Sequence, residues 1–69
     1  MILKGETIKQ ATERTLKNGW WTTTRLIMEL GASSADRERR RFQTERRKNK
    51  NGHWEYHIPT EGQLNLGGM

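Results

Sequence analysis

Three groups of side chains in this 69-residue chain have the types and spacing to do chemistry. The first is a run of cations. Positions 37–50 hold eight Lys and Arg against two Glu, a net +6, while the rest of the chain holds five basic residues against six acidic ones. The whole formal surplus of +5 therefore falls in one fifth of the sequence. A polyanion is the partner such segregation suits, and nucleic acid is the commonest. A solvated, solubilising helix face is the plain alternative, but faces of that kind mix signs whereas this segment separates them. The second group is His53, Glu55 and His57, an H-x-E-x-H set that can in principle supply metal ligands. On a strand its outer members stand about 13 Å apart along the chain, too far for one ion, and neither a cysteine nor a third histidine exists to help. These are read as solvent-facing polar residues, with His53 near phosphate, and no metal or cofactor is expected. The third group is aromatic: Trp20, Trp21, Trp54 and Tyr56 lie among basic residues, where rings can stack on unpaired bases. Core packing is the better reading, because six Leu, four Ile, one Phe and no Val leave too few aliphatic residues to build a core without the rings. No G-x-S-x-G, no phosphate-binding glycine loop and no nucleophile paired with a base occurs, so an enzyme is not expected.

The elements that must position these residues are signalled by periodicity and punctuation. Over residues 5–18, Ile8, Ala11, Thr15 and Leu16 form one stripe of an amphipathic helix, and Gly19 is expected to close it in the left-handed conformation. Trp20 and Trp21 are too brief for a helix and of high β preference, suited to pairing with a later strand. Thr22, Thr23 and Thr24 offer three N-caps for a short helix with Leu26, Ile27 and Leu30 on its apolar face, and Gly31 ends it. Ser33 or Ser34 is expected to cap a further helix, with Asp36 in a capping-box-like spacing. That helix is expected to run from Ala35 to about Arg46, burying Ala35 and Phe42 and showing Arg37, Arg40, Thr44 and Arg47 on the opposite side. Arg41, Gln43 and Lys48 flank this stripe. Glu38 and Glu45 are expected near the Phe42 side, meeting cations of the first two helices and leaving the basic face free of acid.

Asn51-Gly52 is a strong hairpin signal, and residues 53–58 then alternate, with Trp54, Tyr56 and Ile58 on one face and His53, Glu55 and His57 on the other. The first three are expected in the core, so that Trp54→Ala would unfold the domain. Pro59 ends the strand, and residues 60–69 show no period and are expected to be a mobile tail after a single domain over residues 1–59. The fold class is therefore α+β: three helices and a C-terminal β-hairpin. A chain of this size has little interior and is expected to be marginally stable. Without cysteine nothing argues for secretion, and without an apolar run longer than three residues neither a signal-peptide core nor a membrane span is expected. The expected location is the cytoplasm, with the nucleoid.

This order of elements resembles the winged helix-turn-helix DNA-binding domains. The likeness covers residues 6–59: Thr23-Thr-Thr-Arg-Leu-Ile-Met-Glu-Leu-Gly31 for the positioning helix, Ser33-Ser-Ala-Asp-Arg-Glu-Arg-Arg-Arg-Phe-Gln43 for the recognition helix, and Lys48-Asn-Lys-Asn-Gly-His-Trp-Glu-Tyr-His-Ile58 for the wing and its return strand. One departure stands out. Family members usually carry two or three aliphatic residues on the inner side of the recognition helix, where this chain has Ala35, Phe42 and the stems of Arg39 and Arg46. Either those stems cover the core, or the residues from Thr44 onward already belong to the first wing strand. The small single-domain build is similar to phage and mobile-element regulators or excisionases.

The resemblance implies a recognition helix in the major groove, with Arg37, Arg40 and Arg41 presenting paired donors to guanine O6 and N7. Gln43 and Thr44 come second as base contacts. Ser33, Ser34, Arg47, Lys48 and Lys50 are implied phosphate contacts, and the wing tip with Lys50, Asn51 and Gly52 would lie on the backbone or in the minor groove. The first expectation is thus sequence-specific binding of double-stranded DNA, as a transcriptional regulator or an excision factor. An RNA or single-strand binder and a protein-interaction module on the same scaffold are the alternatives. So small a reader is expected to act as a homodimer or a cooperative array, with no membrane or small-molecule substrate involved.

Overall fold

A computed structural model describes residues 1–59, so the expected tail at 60–69 lies outside the described residues. The architecture is α+β, with helices α1 (Ile8–Lys17), α2 (Thr23–Leu30) and α3 (Ala35–Arg39) followed by strands β1 (Glu45–Lys48) and β2 (Trp54–His57) in one antiparallel hairpin. No described helix is long and apolar enough to cross a membrane.

Each helix end follows from its residues. Thr7 caps α1 by a capping box: its hydroxyl accepts from the Gln10 N–H, and the Gln10 side-chain oxygen accepts from the Thr7 N–H. The stripe buries Ala11, Thr12, Thr15 and Leu16, and the Thr12 hydroxyl donates to the Ile8 carbonyl at 2.7 Å, which satisfies it inside the fold. The helix closes at Asn18 in right-handed geometry, so Gly19 does not take the expected left-handed turn. Of the three candidate threonines it is Thr22 that caps α2, accepting from the Arg25 N–H at 3.2 Å. Gly31 closes α2 at φ +67, as the sequence leads one to expect.

Ala11, Leu16, Leu26, Leu30, Ala35 and Ile58 make the buried core, one small cluster shared by all three helices and the end of β2. Ile2, Trp21, Ile27, Phe42 and Tyr56 pack around it half-buried. Trp21 pairs with Tyr56 on the edge of β2 away from β1, exchanging N–H···O bonds of 3.0 and 2.8 Å. The expected pairing with a later strand is thus formed at Trp21, while Trp20 meets that strand only through its ring, stacked on His57. Ile58 N–H donates to the Leu16 carbonyl at 3.1 Å, tying the last buried residue to the end of α1. On the same helix Arg14 holds Glu6 through two donors at 2.9 and 3.0 Å and reaches the Met1 carbonyl at 2.7 Å. The guanidinium of Arg14 keeps the Glu6 carboxyl below the ordinary carboxylate range.

Several expectations are corrected here. Helix α3 stops at Arg39 instead of reaching Arg46. A five-residue helix gains little from its own hydrogen bonds and depends on an apolar face against the core, and after Ala35 the chain offers three successive arginines before Phe42. The backbone turns at Arg41 and Phe42 with tight bonds to the Glu38 and Arg39 carbonyls, which lets Phe42 reach the core. Residues from Glu45 onward then pair with β2, the second of the two alternatives left by the sequence. Ser34 stands at the N-cap position of α3 in helical geometry and makes no side-chain cap, so the expected serine cap and capping box are absent. Trp54 is 41% exposed and belongs to no core. The alternation that puts Trp54, Tyr56 and Ile58 on one face holds, but the core ends under Tyr56, and the strand carries Trp54 past it.

Candidate nucleic-acid interface

Two consecutive elements carry the cations. On the first, Ser33, Ser34, Asp36, Arg37 and Arg40 line an open recess of about 380 Å³ at the start of α3. The site therefore gathers four of the expected contact residues around one carboxylate. Asp36 pairs with Arg39 at 2.8 Å and with Arg40 at 3.1 Å, and Glu38 pairs with Arg41 at 3.6 Å. This corrects the expectation that acids stay off the basic side, because Asp36 and Glu38 stand three and four residues before these arginines, the spacing that puts side chains side by side on a helical turn. Arg40 and Arg41 remain largely exposed and can exchange these partners for others at small cost, since exposed ion pairs contribute only about 0–1 kcal/mol. Arg37 is exposed and makes no ion pair among the described residues.

Gln43 and Thr44 do not sit on the helix; they lie in the connection between α3 and β1, Gln43 exposed and Thr44 half-buried. Arg47 and Lys48 are on β1, and Lys50 and Asn51 in the hairpin loop. The loop is built by Asn49. Its backbone closes the hairpin with His53, its carbonyl accepts from the Gly52 N–H at 3.0 Å, and its side-chain oxygen accepts from the Asn51 and His53 N–H groups at 2.9 and 3.0 Å. Gly52 takes φ +83, the left-handed position that completes a three-residue loop. The Asn-Gly signal located this turn correctly, while Asn49, the residue that holds it in shape, carries only the generic turn preference of asparagine.

The register Glu45↔His57, Arg46↔Tyr56, Arg47↔Glu55, Lys48↔Trp54 sorts the hairpin into two unlike faces. One face is internally paired: Glu45 contacts His57 Nδ1 at 2.6 Å, Glu55 pairs with Arg47 at 3.0 Å, and Trp20 stacks on His57 at 5.1 Å with the Arg47 guanidinium 4.3 Å from its ring centre. So Glu45 meets the opposite strand and not the first two helices, and Glu55 and His57 are engaged with neighbours instead of facing a common ion. No group of three His, Cys, Asp or Glu converges among the described residues. The other face has Arg46, Lys48, Trp54 and Tyr56, two cations and no acid. Arg46, read in the sequence only as a stem over the core, is exposed here. Its prominence follows from pairing Asn49 with His53 and counting back along the alternation.

Comparison with protein-family models, with curated proteins and with solved structures finds no match to this chain.

Proposed function

We propose that this chain binds double-stranded DNA as a small winged helix-turn-helix protein, with α2 and α3 as the helix-turn-helix and the β1–β2 hairpin as the wing. The observation that carries this reading is the position of unpaired cations: Arg37 on α3, and Arg46, Lys48 and Lys50 on the hairpin, lie on successive elements and make no ion pair among the described residues. A duplex offers one phosphate per ~1.7 Å of axis, so cations spread over two elements can be neutralised together by one molecule. The major groove, about 12 Å wide, admits one helix.

The short α3 narrows the base-reading set. Arg37, Arg40 and Arg41, with Ser33 and Ser34 at the helix start, are the groups that enter the groove. Arg40 and Arg41 trade carboxylate partners for guanine or phosphate acceptors as they do so. Gln43 and Thr44, off the helix, are contacts of the connecting segment. Lys48, Lys50 and Asn51 hold the wing on the sugar–phosphate backbone, and Arg47, paired with Glu55, is a weaker contact than its neighbours. Regulation of transcription or assistance to excision both fit such a reader. A homodimer or a cooperative array extends the few base pairs that one copy covers.

Binding to random duplex, single-stranded DNA and structured RNA, titrated with salt and followed by selection from a random duplex pool, tests the reading. Duplex preference, a log–log salt slope of roughly −5 for about six phosphates, and an enriched motif are expected. A shallow slope with no enriched motif overturns it.

A further inference from the structure

The exposed ring of Trp54 is the feature that duplex binding by α3 leaves unused. A tryptophan 41% exposed in a chain short of apolar residues forgoes burial that a small fold needs. It is flanked by cations instead: the Arg46 guanidinium is 4.6 Å and the Lys48 ammonium 5.3 Å from its ring centre. Both stand on the acid-free face of the hairpin, Lys48 directly across the ladder from Trp54 and Arg46 two pairs further in, across from Tyr56. Tyr56 on that same face is half-buried, and the nearly buried Arg39 that lies 3.9 Å from its ring centre is fixed there by Asp36, whereas Trp54 and the two cations over it are all exposed, so Trp54 is the ring a ligand can reach.

We propose that Trp54, with Arg46 and Lys48, is a stacking site for an unpaired nucleotide base next to the duplex that α3 holds. An exposed indole beside two unpaired cations of the neighbouring strand matches the repeating chemistry of a single strand, a flat base flanked by phosphates. The base lies on the indole, and Arg46 and Lys48, which now rest over the ring, move outward to the phosphates on either side. Away from its ends a fully paired duplex offers the ring no base face, because its bases are stacked on one another. The ligand is therefore a junction: a duplex with an overhang, a fork or an unpaired base. Stacking of one base on an aromatic side chain is worth about 1–3 kcal/mol, which corresponds to roughly 5- to 150-fold in affinity. The inference rests on the duplex reading only for the duplex half of the junction.

The test uses the full chain and one duplex made in two forms, blunt and with a short single-stranded overhang carrying 2-aminopurine as its first unpaired base. The overhang form is expected to bind about tenfold more tightly, with quenching of the 2-aminopurine fluorescence on binding. Trp54→Ala is expected to abolish that advantage and the quenching while leaving blunt-duplex affinity unchanged, and Trp54→Phe to keep part of both. Equal affinity of the wild-type protein for the two forms, an advantage that survives in Trp54→Ala, or a Trp54→Ala loss equal on both forms overturns the proposal. Quenching in the wild type is read without any variant, so its absence counts against the site even where a variant misfolds. The two readings fail separately. Binding to single strands with Trp54-dependent quenching but none to blunt duplex keeps the stacking site and removes the duplex reading, whereas the reverse result does the opposite.

Discussion

The guanidinium of Arg39 lies 3.9 Å from the centre of the Tyr56 ring, while its Nε and Nη2 donate to one oxygen of Asp36 at 3.2 and 2.8 Å. This places a nearly buried arginine between α3 and β2, where a longer helix would use aliphatic side chains. The stem supplies apolar contact, the ring takes the charge on one side, and Asp36 satisfies the donors on the other. Arg39→Ala is expected to destabilise the fold by about 2 kcal/mol, and Arg39→Met, which keeps the stem, by roughly half as much. Urea unfolding of both variants checks this. Equal losses would show that the stem contributes nothing.

The core is small enough that single leucines decide whether the chain folds. Leu26 is fully buried in a cluster of six residues, and Leu26→Ala is expected to cost about 2–5 kcal/mol, most or all of the stability of a domain this size. Trp54→Ala is expected to cost at most about 1 kcal/mol, since it removes an exposed ring and two exposed cation–π contacts. Circular dichroism melts of the two variants separate these outcomes. An unfolded Trp54→Ala protein beside a folded Leu26→Ala would invert the assignment of the core.

Much of this arrangement is legible in the chain, and the misreadings share a cause. Periodicity locates α1 and α2, Gly31 and Gly52 mark turns that need positive φ, and of the two tryptophans Trp21 pairs with the later strand. Periodicity says which face a residue occupies, not how far the core extends beneath it. Trp54 and Tyr56 share a face, yet only the latter reaches the core. The same blindness made residues 35–46 look like one helix: arginine is a good helix former, but after Ala35 the chain places no apolar side chain against the core until Phe42. Within the basic run, which cations remain unpaired depends on where that helix stops. An extended helix keeps Glu38 and Glu45 on one shoulder, whereas the actual turn leaves Glu38 beside Arg41 and carries Glu45 onto β1, where it meets His57.

Acid should loosen the N-terminal segment before the rest. Glu6 has its carboxyl lowered chiefly by the hydrogen bonds from Arg14 and secondarily by the Leu3 N–H. A carboxyl whose folded pKa lies below its unfolded one contributes stability that is complete above the unfolded value and is lost as pH falls through the folded value. The melting temperature of the wild-type protein is therefore expected to decline as pH drops through and below the ordinary carboxylate range. Glu6→Gln is expected to start lower at neutral pH and to fall less steeply. A wild-type profile parallel to that of Glu6→Gln would remove this pair from the pH response.

Glu38 is the residue whose loss should improve binding. Its carboxylate sits 3.6 Å from Arg41, so in the free protein it both occupies a proposed base-reading arginine and presents a negative charge where phosphates must approach. Glu38→Gln removes both obstacles and forfeits only an ion pair with an exposed arginine, worth about 0–1 kcal/mol. If the proposed duplex binding holds, it is expected to tighten binding to every duplex about threefold at low salt, with the gain shrinking as salt screens the repulsion. Asp36→Asn does not give the same benefit, because Asp36 also anchors Arg39 against Tyr56 and its removal loosens α3. Arg41→Ala is expected to weaken the selected site by about 1–3 kcal/mol and to relax base preference locally, while Lys50→Ala weakens all duplexes alike. Combined with Arg41→Ala, Glu38→Gln should keep only the part of its gain that comes from repulsion. A gain of the same size with and without Arg41 would mean that Glu38 acts on the phosphates alone and does not compete with the duplex for Arg41.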